Sequence, residues 1–327
     1  MSQHQGLKVL CTFPFDEEAL ERIREAAQGE VVLATRDEEL MAHVGSAEII
    51  CGFRLPKNIL QLAPRLRWLQ FAGAGVDGLR DTGLLDPDSG VIVTTASGIH
   101  ASTIGEYVFG SMIMFNRSWP ELVRLQDRHI WGNTAWYHLR TLELYGQTLG
   151  VIGVGSIGRY VARLGRAFGM RVLGVRRSAR GGEQDQDVER YYAFSQLREM
   201  LPLCDYVVIA TPLTPETEHL IGEPELRAMR RTAYLVNVAR GRVIDEQALI
   251  RALREGWIAG AGLDVTEIEP LPQESPLYSL PNVILTPHIS GESVHYGARL
   301  ASLFVENLQR YRRGEALRNR YDPQRGY

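Results

Sequence analysis

TLGVIGVGSIGRYVARLGRAFGM, residues 148–170, followed by RVLGVR, residues 171–176, decides how this chain folds. A short apolar run enters three glycines, Gly153, Gly155 and Gly158, then a segment in which Ile157, Val161, Leu164 and Phe168 recur at helical spacings of four and three, a face expected to pack on the sheet. Gly169 supplies the stop, and a second apolar run begins at once. Strand, glycine turn, helix and strand in that order form a cradle for a dinucleotide. Gly153 permits the tight turn, Gly155 lets backbone approach a pyrophosphate, and Gly158 lets helix and strand pack closely. The helix N-terminus adds donors and positive potential for the phosphates. A glycine-rich turn in an empty α/β domain explains less of this order.

Outward from that unit the same alternation continues. KVLCTF, VVLAT, AEIICGF, LRWLQFAG and VIVTTAS precede it, and CDYVVIATPL, AYLVNVA, GAGLDV and NVILTPH follow, separated by amphipathic segments. Continuous apolar strands between helices predict parallel sheets covered on both faces, hence the α/β class with doubly wound sheets. Two groups of strands predict two domains, one of residues 1–100 and 290–327, the other a Rossmann domain of residues 101–289. The helical stretch STIGEYVFGSMIMFN, residues 102–116, joins them, and the last helix, SVHYGARLASLFVENLQRYRRG, returns to the first domain. The aromatic arm WGNTAWYHLRTLELYG, with Trp131, Trp136 and Tyr137, reads as a subunit contact.

Bulk properties narrow the function classes. Among 327 residues, 36 are basic and 39 acidic, with no long run of either sign, so neither a nucleic-acid stripe nor a polybasic membrane patch is expected. Small soluble partners are. Cys11, Cys51 and Cys204 are widely spaced and without a CxxC element, as in a reduced cytoplasmic protein with no cysteine metal site. In MSQHQGLKVLCTFPFDEEAL acids follow a short apolar run, so neither a signal peptide nor an anchor is expected.

GVRRSARGG, residues 174–182, falls where a dinucleotide fold commonly places an acid that binds the adenosine ribose diol. Here Arg176 stands at the end of the second strand, with Arg177 and Ser178 next. A charged donor to a phosphate oxygen contributes about 1.5–3 kcal/mol, so this stretch predicts NADP(H) over NAD(H), with NAD(H) the weaker alternative. Arg176 and Ser178 are the expected direct contacts and Arg177 is expected over the adenine. Arg180 lies beyond the strand end and reads as solvated.

Ligands of an open parallel sheet collect beyond the carboxyl ends of its strands, where Arg240, Glu269 and His288 fall. Hydride transfer to a carbonyl creates an alkoxide that needs a proton, which His288 as imidazolium supplies. Glu269 beside it stabilises the charged ring and orients it. Arg240 offers a planar fork for a substrate carboxylate. Singly, each has a plainer reading as a helix-entry charge, a solvated acid or a satisfied imidazole.

VNVARGRVID, AGLDVTEIEPLP and NVILTPHISG, set behind GVIGVGSIGRYVARLGRAFGM and TPLTPETEHLI, closely resemble the D-isomer-specific 2-hydroxyacid dehydrogenases over about residues 45–310. The resemblance implies a Rossmann cofactor domain and a flavodoxin-like substrate domain with the site between them. It places the catalytic set on Arg240, Glu269 and His288, and a backbone clamp for the substrate carboxylate on Ala74 and Gly75 in FAGAGVDGL. It carries cofactor contacts to Ser156 and Ile157, to Thr211, Pro212 and Thr217, to Val238 and Ala239, to Asp264 near the carboxamide, and to Gly291. It implies a homodimer, in which Trp131 or Trp136 of a partner reaches the substrate. Arg176 departs from the aspartate of NAD-preferring members and is similar to the pattern of NADPH-dependent glyoxylate and hydroxypyruvate reductases. The substrate expected is therefore a small 2-ketoacid or D-2-hydroxyacid. Glu269 replaces the glutamine of formate dehydrogenases, and His100 stands near an asparagine of many members. The competing reading is a cofactor-sensing, corepressor-like protein on the same scaffold. A tyrosine–lysine dehydrogenase fails, because Lys8 and Lys57 are the only lysines and neither has the needed spacing from a tyrosine.

Overall fold

The computed structural model describes residues 6–131, 139 and 141–327. The described residues separate into two compact units, one of Met1–His100 with Ser293–Tyr327 and one of Ala101–Glu292. Each is built on one wholly parallel sheet.

The first sheet holds β1 (Lys8–Cys11), β2 (Glu30–Leu33), β3 (Ile49–Gly52), β4 (Trp68–Phe71) and β5 (Ile92–Thr94), in the order β2-β1-β3-β4-β5. That is the flavodoxin-like order, with its switch point between β1 and β3. The second sheet holds β6 (Thr148–Ile152), β7 (Arg171–Val175), β8 (Arg190–Tyr192), β9 (Tyr206–Ile209), β10 (Tyr234–Asn237), β11 (Gly260–Leu263) and β12 (Val283–Leu285). Its order, β12-β11-β10-β9-β6-β7-β8, is doubly wound about a switch point between β6 and β9. The helices are α1 (Glu17–Ala27), α2 (Asp37–His43), α3 (Ile59–Leu62), α4 (Ala101–Asn116), α5 (Trp119–Asp127), α6 (Ser156–Ala167), α7 (Leu197–Met200), α8 (Glu223–Ala228), α9 (Glu246–Glu255) and α10 (Tyr296–Arg312). No helix among the described residues is long and apolar enough to cross a membrane.

α10 completes the first unit. Leu300, Phe304 and Leu308 are buried against Ile23 of α1 and against Trp68, whose ring lies 5.3 Å from that of Phe304. Polar groups pin the same helix, since the Asn307 amide donates to Gln70 Oε1 at 3.0 Å within the core.

Two details depart from the periodicity. β8 is a twelfth strand not visible in the pattern; three residues with a charged first member carry no period, and only pairing with β7 makes RYY extended. The face that α6 lays on the sheet is also different. Gly158, Val161, Ala162 and Gly165 are buried there, whereas Ile157 and Leu164 are partly buried and Phe168 stacks on Phe109 of α4 at 4.8 Å. The reason is proximity: a Cβ on Gly165 would fall 2.8 Å from Leu149 of β6, so only glycine fits, and the larger side chains turn toward α4.

Cys11, Cys51 and Cys204 are free and buried on or beside strands. Burial pushes the Cys11 and Cys204 thiols up to about 12, which leaves them protonated packing groups.

Candidate active site

The glycine turn follows β6 and the TPLTPET loop follows β9, so the two flank the switch point of the second sheet. Gly153 has φ +93°, and a Cβ there would lie 2.7 Å from the Thr211 backbone. At Gly158 a Cβ would lie 2.1 Å from the Gly153 carbonyl oxygen. Both glycines are demanded by the protein itself. Gly155 is different, because a Cβ there would meet no protein atom within 4 Å. Gly155 also caps α6 without a side-chain acceptor, leaving first-turn N–H groups around Ser156 and Ile157 to a ligand. Crowding where the fold needs it and space where a ligand would approach fit a bound pyrophosphate. Across the switch point Thr211 is buried, Pro212 is exposed, and the Thr217 hydroxyl donates to the Pro212 carbonyl at 2.6 Å and accepts the Thr214 N–H at 2.8 Å. Thr217 thus shapes the loop from within.

At the end of β7 the partly exposed Arg176 lays its guanidinium 4.1 Å from the centroid of the Tyr191 ring, and its Nε has no hydrogen-bond partner among the described residues. Arg177 pairs with Glu216 of the TPLTPET loop at 3.3 Å, so in this structure the stacked arginine is Arg176, on a tyrosine. Ser178 and Arg180 are exposed, and the Arg180 N–H donates to Glu183 at 2.9 Å. Arg176, Arg177 and Ser178, in place of an acid at the strand end itself, suit a phosphate better than a ribose diol.

The catalytic candidates stand after β10, β11 and β12. His288 Nδ1 lies 2.7 Å from Glu269 Oε2, and the other oxygen, Oε1, accepts the Thr266 N–H at 3.2 Å. The carboxylate is thereby oriented from both ends. Side-chain exposures of 47% for His288 and 38% for Glu269 leave both open to a ligand. His288 adopts φ +55°, a left-handed conformation that side chains rarely take. Asp264 holds it there. Its backbone carbonyl accepts the His288 N–H at 2.8 Å, Oδ1 accepts the Ile289 N–H at 2.9 Å, and Oδ2 accepts the Ser290 N–H at 3.0 Å. Thr286 Oγ1 sits 2.6 Å from Asp264 Oδ1 and 2.8 Å from the Tyr107 hydroxyl. Having one proton, Thr286 gives it to the carboxylate and takes that of the phenol, which burial keeps protonated by pushing it up to about 12. Gly291, partly buried, closes the turn.

Arg240 follows the buried Val238 and Ala239. Asn237, 1% exposed, sets that turn: its amide donates to the Arg240 carbonyl at 3.0 Å and its oxygen accepts the Ala239 N–H at 3.0 Å. A Cβ on Gly241 would fall 1.9 Å from the Thr266 carbonyl carbon, so the Arg240 turn rests directly on the loop that carries Glu269. Arg240, Glu269 and His288 are in this way brought to one end of one sheet. Ala74 and Gly75 lie in the other unit, partly buried in the loop after β4, beside Gly73 and the aromatic group of Phe53, Phe71 and Tyr296. Trp131 is exposed; Trp136 and Tyr137 lie outside the described residues. Among the described residues no group of three or more His, Cys, Asp or Glu is placed to hold a metal.

Tyr191, Tyr107, Thr286 and Asn237 carried no sequence signal. Tyr191, Tyr107 and Thr286 act across longer chain separations and Asn237 within its own turn, and only the NV and TPH contexts of Asn237 and Thr286 pointed near them.

Residues 109–290 match the model of the D-isomer specific 2-hydroxyacid dehydrogenase, NAD binding domain. A glyoxylate reductase of Thermococcus gammatolerans is 37% identical over 324 residues, covering 94% of this chain and 93% of that one. The solved D-isomer specific 2-hydroxyacid dehydrogenase family protein of Aeromonas salmonicida superposes with a TM-score of 0.84 at 34% identity, covering 98% of this chain and all (100%) of that chain. An NADPH-dependent glyoxylate/hydroxypyruvate reductase of Sinorhizobium meliloti, solved with NADP and sulfate, superposes with a TM-score of 0.82 at 26% identity, covering 98% and 100%. With its two parallel sheets, its glycine turn and its paired histidine and glutamate, the chain belongs to the D-isomer specific 2-hydroxyacid dehydrogenase family of oxidoreductases.

Proposed function

We propose that this chain reduces a small 2-ketoacid, of the glyoxylate or hydroxypyruvate kind, to the D-2-hydroxyacid, using NADPH in preference to NADH. The observation that carries the reading is the 2.7 Å contact between His288 Nδ1 and Glu269. With Nδ1 turned to a carboxylate, Nε2 is the nitrogen left to protonate the developing alkoxide. A bound nicotinamide supplies the hydride. Arg240 holds the substrate carboxylate and polarises the neighbouring carbonyl, and the backbone of Ala74 and Gly75 is assigned to substrate binding. Gly155, Ser156 and Ile157 take the pyrophosphate on the turn that Gly153 and Gly158 shape; Arg176, Arg177 and Ser178 take the adenosine end. Thr211, Pro212, Val238, Ala239 and Gly291 are further cofactor contacts, with Thr217 holding the loop of the first two and Asp264 near the carboxamide.

NADPH preference is supported by the arginines at the end of β7 and by the NADP-bound neighbour named above. Glyoxylate and hydroxypyruvate are supported by what the relatives are named for. We also take the protein to be a homodimer of the cytoplasm, a reading supported by the unburied face of α5 and by three free, buried cysteines.

Initial rates with glyoxylate, hydroxypyruvate and larger 2-ketoacids, each with NADPH and NADH in parallel, test the proposal. The expected result is faster turnover per unit cofactor affinity with NADPH and a preference for the small ketoacids. No reduction of any 2-ketoacid overturns the reading, and equal efficiency with NADH overturns its cofactor half.

A further inference from the structure

Strand β8 places Tyr191 directly opposite Gly174 of β7. A Cβ on Gly174 would lie 3.1 Å from Tyr191 Cε1, so the ring spreads over the strand where no side chain opposes it. Arg176, two residues further on the same face, lies along that ring at 4.1 Å. The ring is itself held. Its hydroxyl donates to Asp185 Oδ2 at 2.8 Å, and the same oxygen accepts from Arg159 Nη1 at 2.9 Å. The other oxygen of Asp185 accepts the N–H groups of Asp187 and Val188, both at 2.9 Å. Arg159 stands on the first turn of α6, immediately after Gly158. A connected path thus runs from the phosphate helix through Arg159, Asp185 and Tyr191 to Arg176. Arg159 lies 2.9 Å from Asp185 and 3.9 Å from Asp187, so it offsets part of the negative charge beside the clamped ring.

We propose that Tyr191 is a positioning residue for cofactor choice: its clamped ring holds Arg176 where the guanidinium meets the 2′-phosphate of NADP(H). The proposal rests on the NADPH reading above. An unsupported arginine at a strand end has many rotamers, and ordering it on binding costs affinity. Stacking on a fixed ring removes that cost beforehand, while the solvent-facing part of the partly exposed guanidinium is left to the phosphate and Nε stays buried against the fold.

Calorimetric titration with NADP+ and with NAD+ tests it on the wild type, Arg176→Ala, Tyr191→Leu, the double variant and Tyr191→Phe. Tyr191→Leu is expected to weaken NADP+ binding by about three- to tenfold while NAD+ stays within about twofold. In the Arg176→Ala background the same change is expected to cost NADP+ nothing further. Tyr191→Phe keeps the ring and fills the core, and is expected to lose about twofold in NADP+ over NAD+ through the freed clamp. It decides the matter should the leucine variant fail to fold, with unchanged selectivity overturning the proposal. Equal losses for both cofactors, or an undiminished loss in the absence of Arg176, would show a core residue only. A selective effect of Arg176→Ala beside a silent Tyr191→Leu overturns this proposal and leaves the NADPH reading standing. No change in selectivity with Arg176→Ala removes both.

Discussion

His288 sits at φ +55° because Asp264 takes three N–H groups of its turn, on the backbone carbonyl and both carboxylate oxygens. Removing the imidazole is expected to lower kcat by about 10²–10⁴-fold in His288→Ala, with the Kd for NADP+ nearly intact. Stopped-flow turnover beside a binding titration checks this, and near-normal reduction would reject the proton donor. Asp264→Asn keeps the shape but replaces one acceptor by a donor facing N–H groups in a nearly closed site, 2% exposed. An unfolding free energy lower by about 1–3 kcal/mol is expected, together with a fall in kcat. Asp185 lends itself to a pH test. Burial opposes its charge, but hydrogen bonds from Arg159, Tyr191 and the N–H groups of Asp187 and Val188 outweigh that and hold its carboxyl well below the usual range. A carboxylate depressed in the folded state stabilises above its unfolded value, about 3.9, and loses that contribution as pH falls below it. Melting temperatures between pH 6 and pH 3 should therefore fall more steeply for the wild type than for Asp185→Asn. Parallel curves would count against the clamp.

At the scale of elements, β6 and α6 divide their glycines by purpose. Gly158→Ala sets a Cβ 2.1 Å from the Gly153 carbonyl oxygen, so helix and strand must part. Stability is expected to drop by about 1–3 kcal/mol with cofactor affinity. Gly155→Ala meets no protein atom within 4 Å, so the melting curve is expected to move little while NADP+ binding weakens by about tenfold or more. Thermal unfolding and titration of the two variants separate a glycine needed by the fold from one needed by the ligand. The sequence marked this unit well because strand period, glycine spacing and helix period are all local. It misplaced the inner face of α6 for the same reason: which face is buried depended on how closely Gly165 lets the helix approach Leu149. β8 escaped notice because Arg190–Tyr192 is a strand only by virtue of its partner.

At the scale of the molecule, α5 carries Trp119, Leu122 and Val123 at 49%, 40% and 54% exposure and buries no residue of its own. An apolar helix face of that kind is covered in an obligate assembly. Sedimentation is expected to show a dimer at micromolar concentration, and Val123→Asp to shift it toward monomer; a monomeric wild type would remove the α5 contact. Arg240, Glu269 and His288 were legible as candidates because each follows a strand and chemistry asks for their types together. Alone, the sequence determined the α/β class, the glycine turn and the residues at strand ends, since these follow from local periods and side-chain chemistry. Only the tertiary structure decided that Asp264 braces the histidine turn, that Asn237 shapes the arginine turn and that Tyr191 underlies Arg176. Asp264 and Tyr191 reach partners well separated in the chain, and the Asn237 contacts, though local, take their distance and angle only once the sheet is assembled.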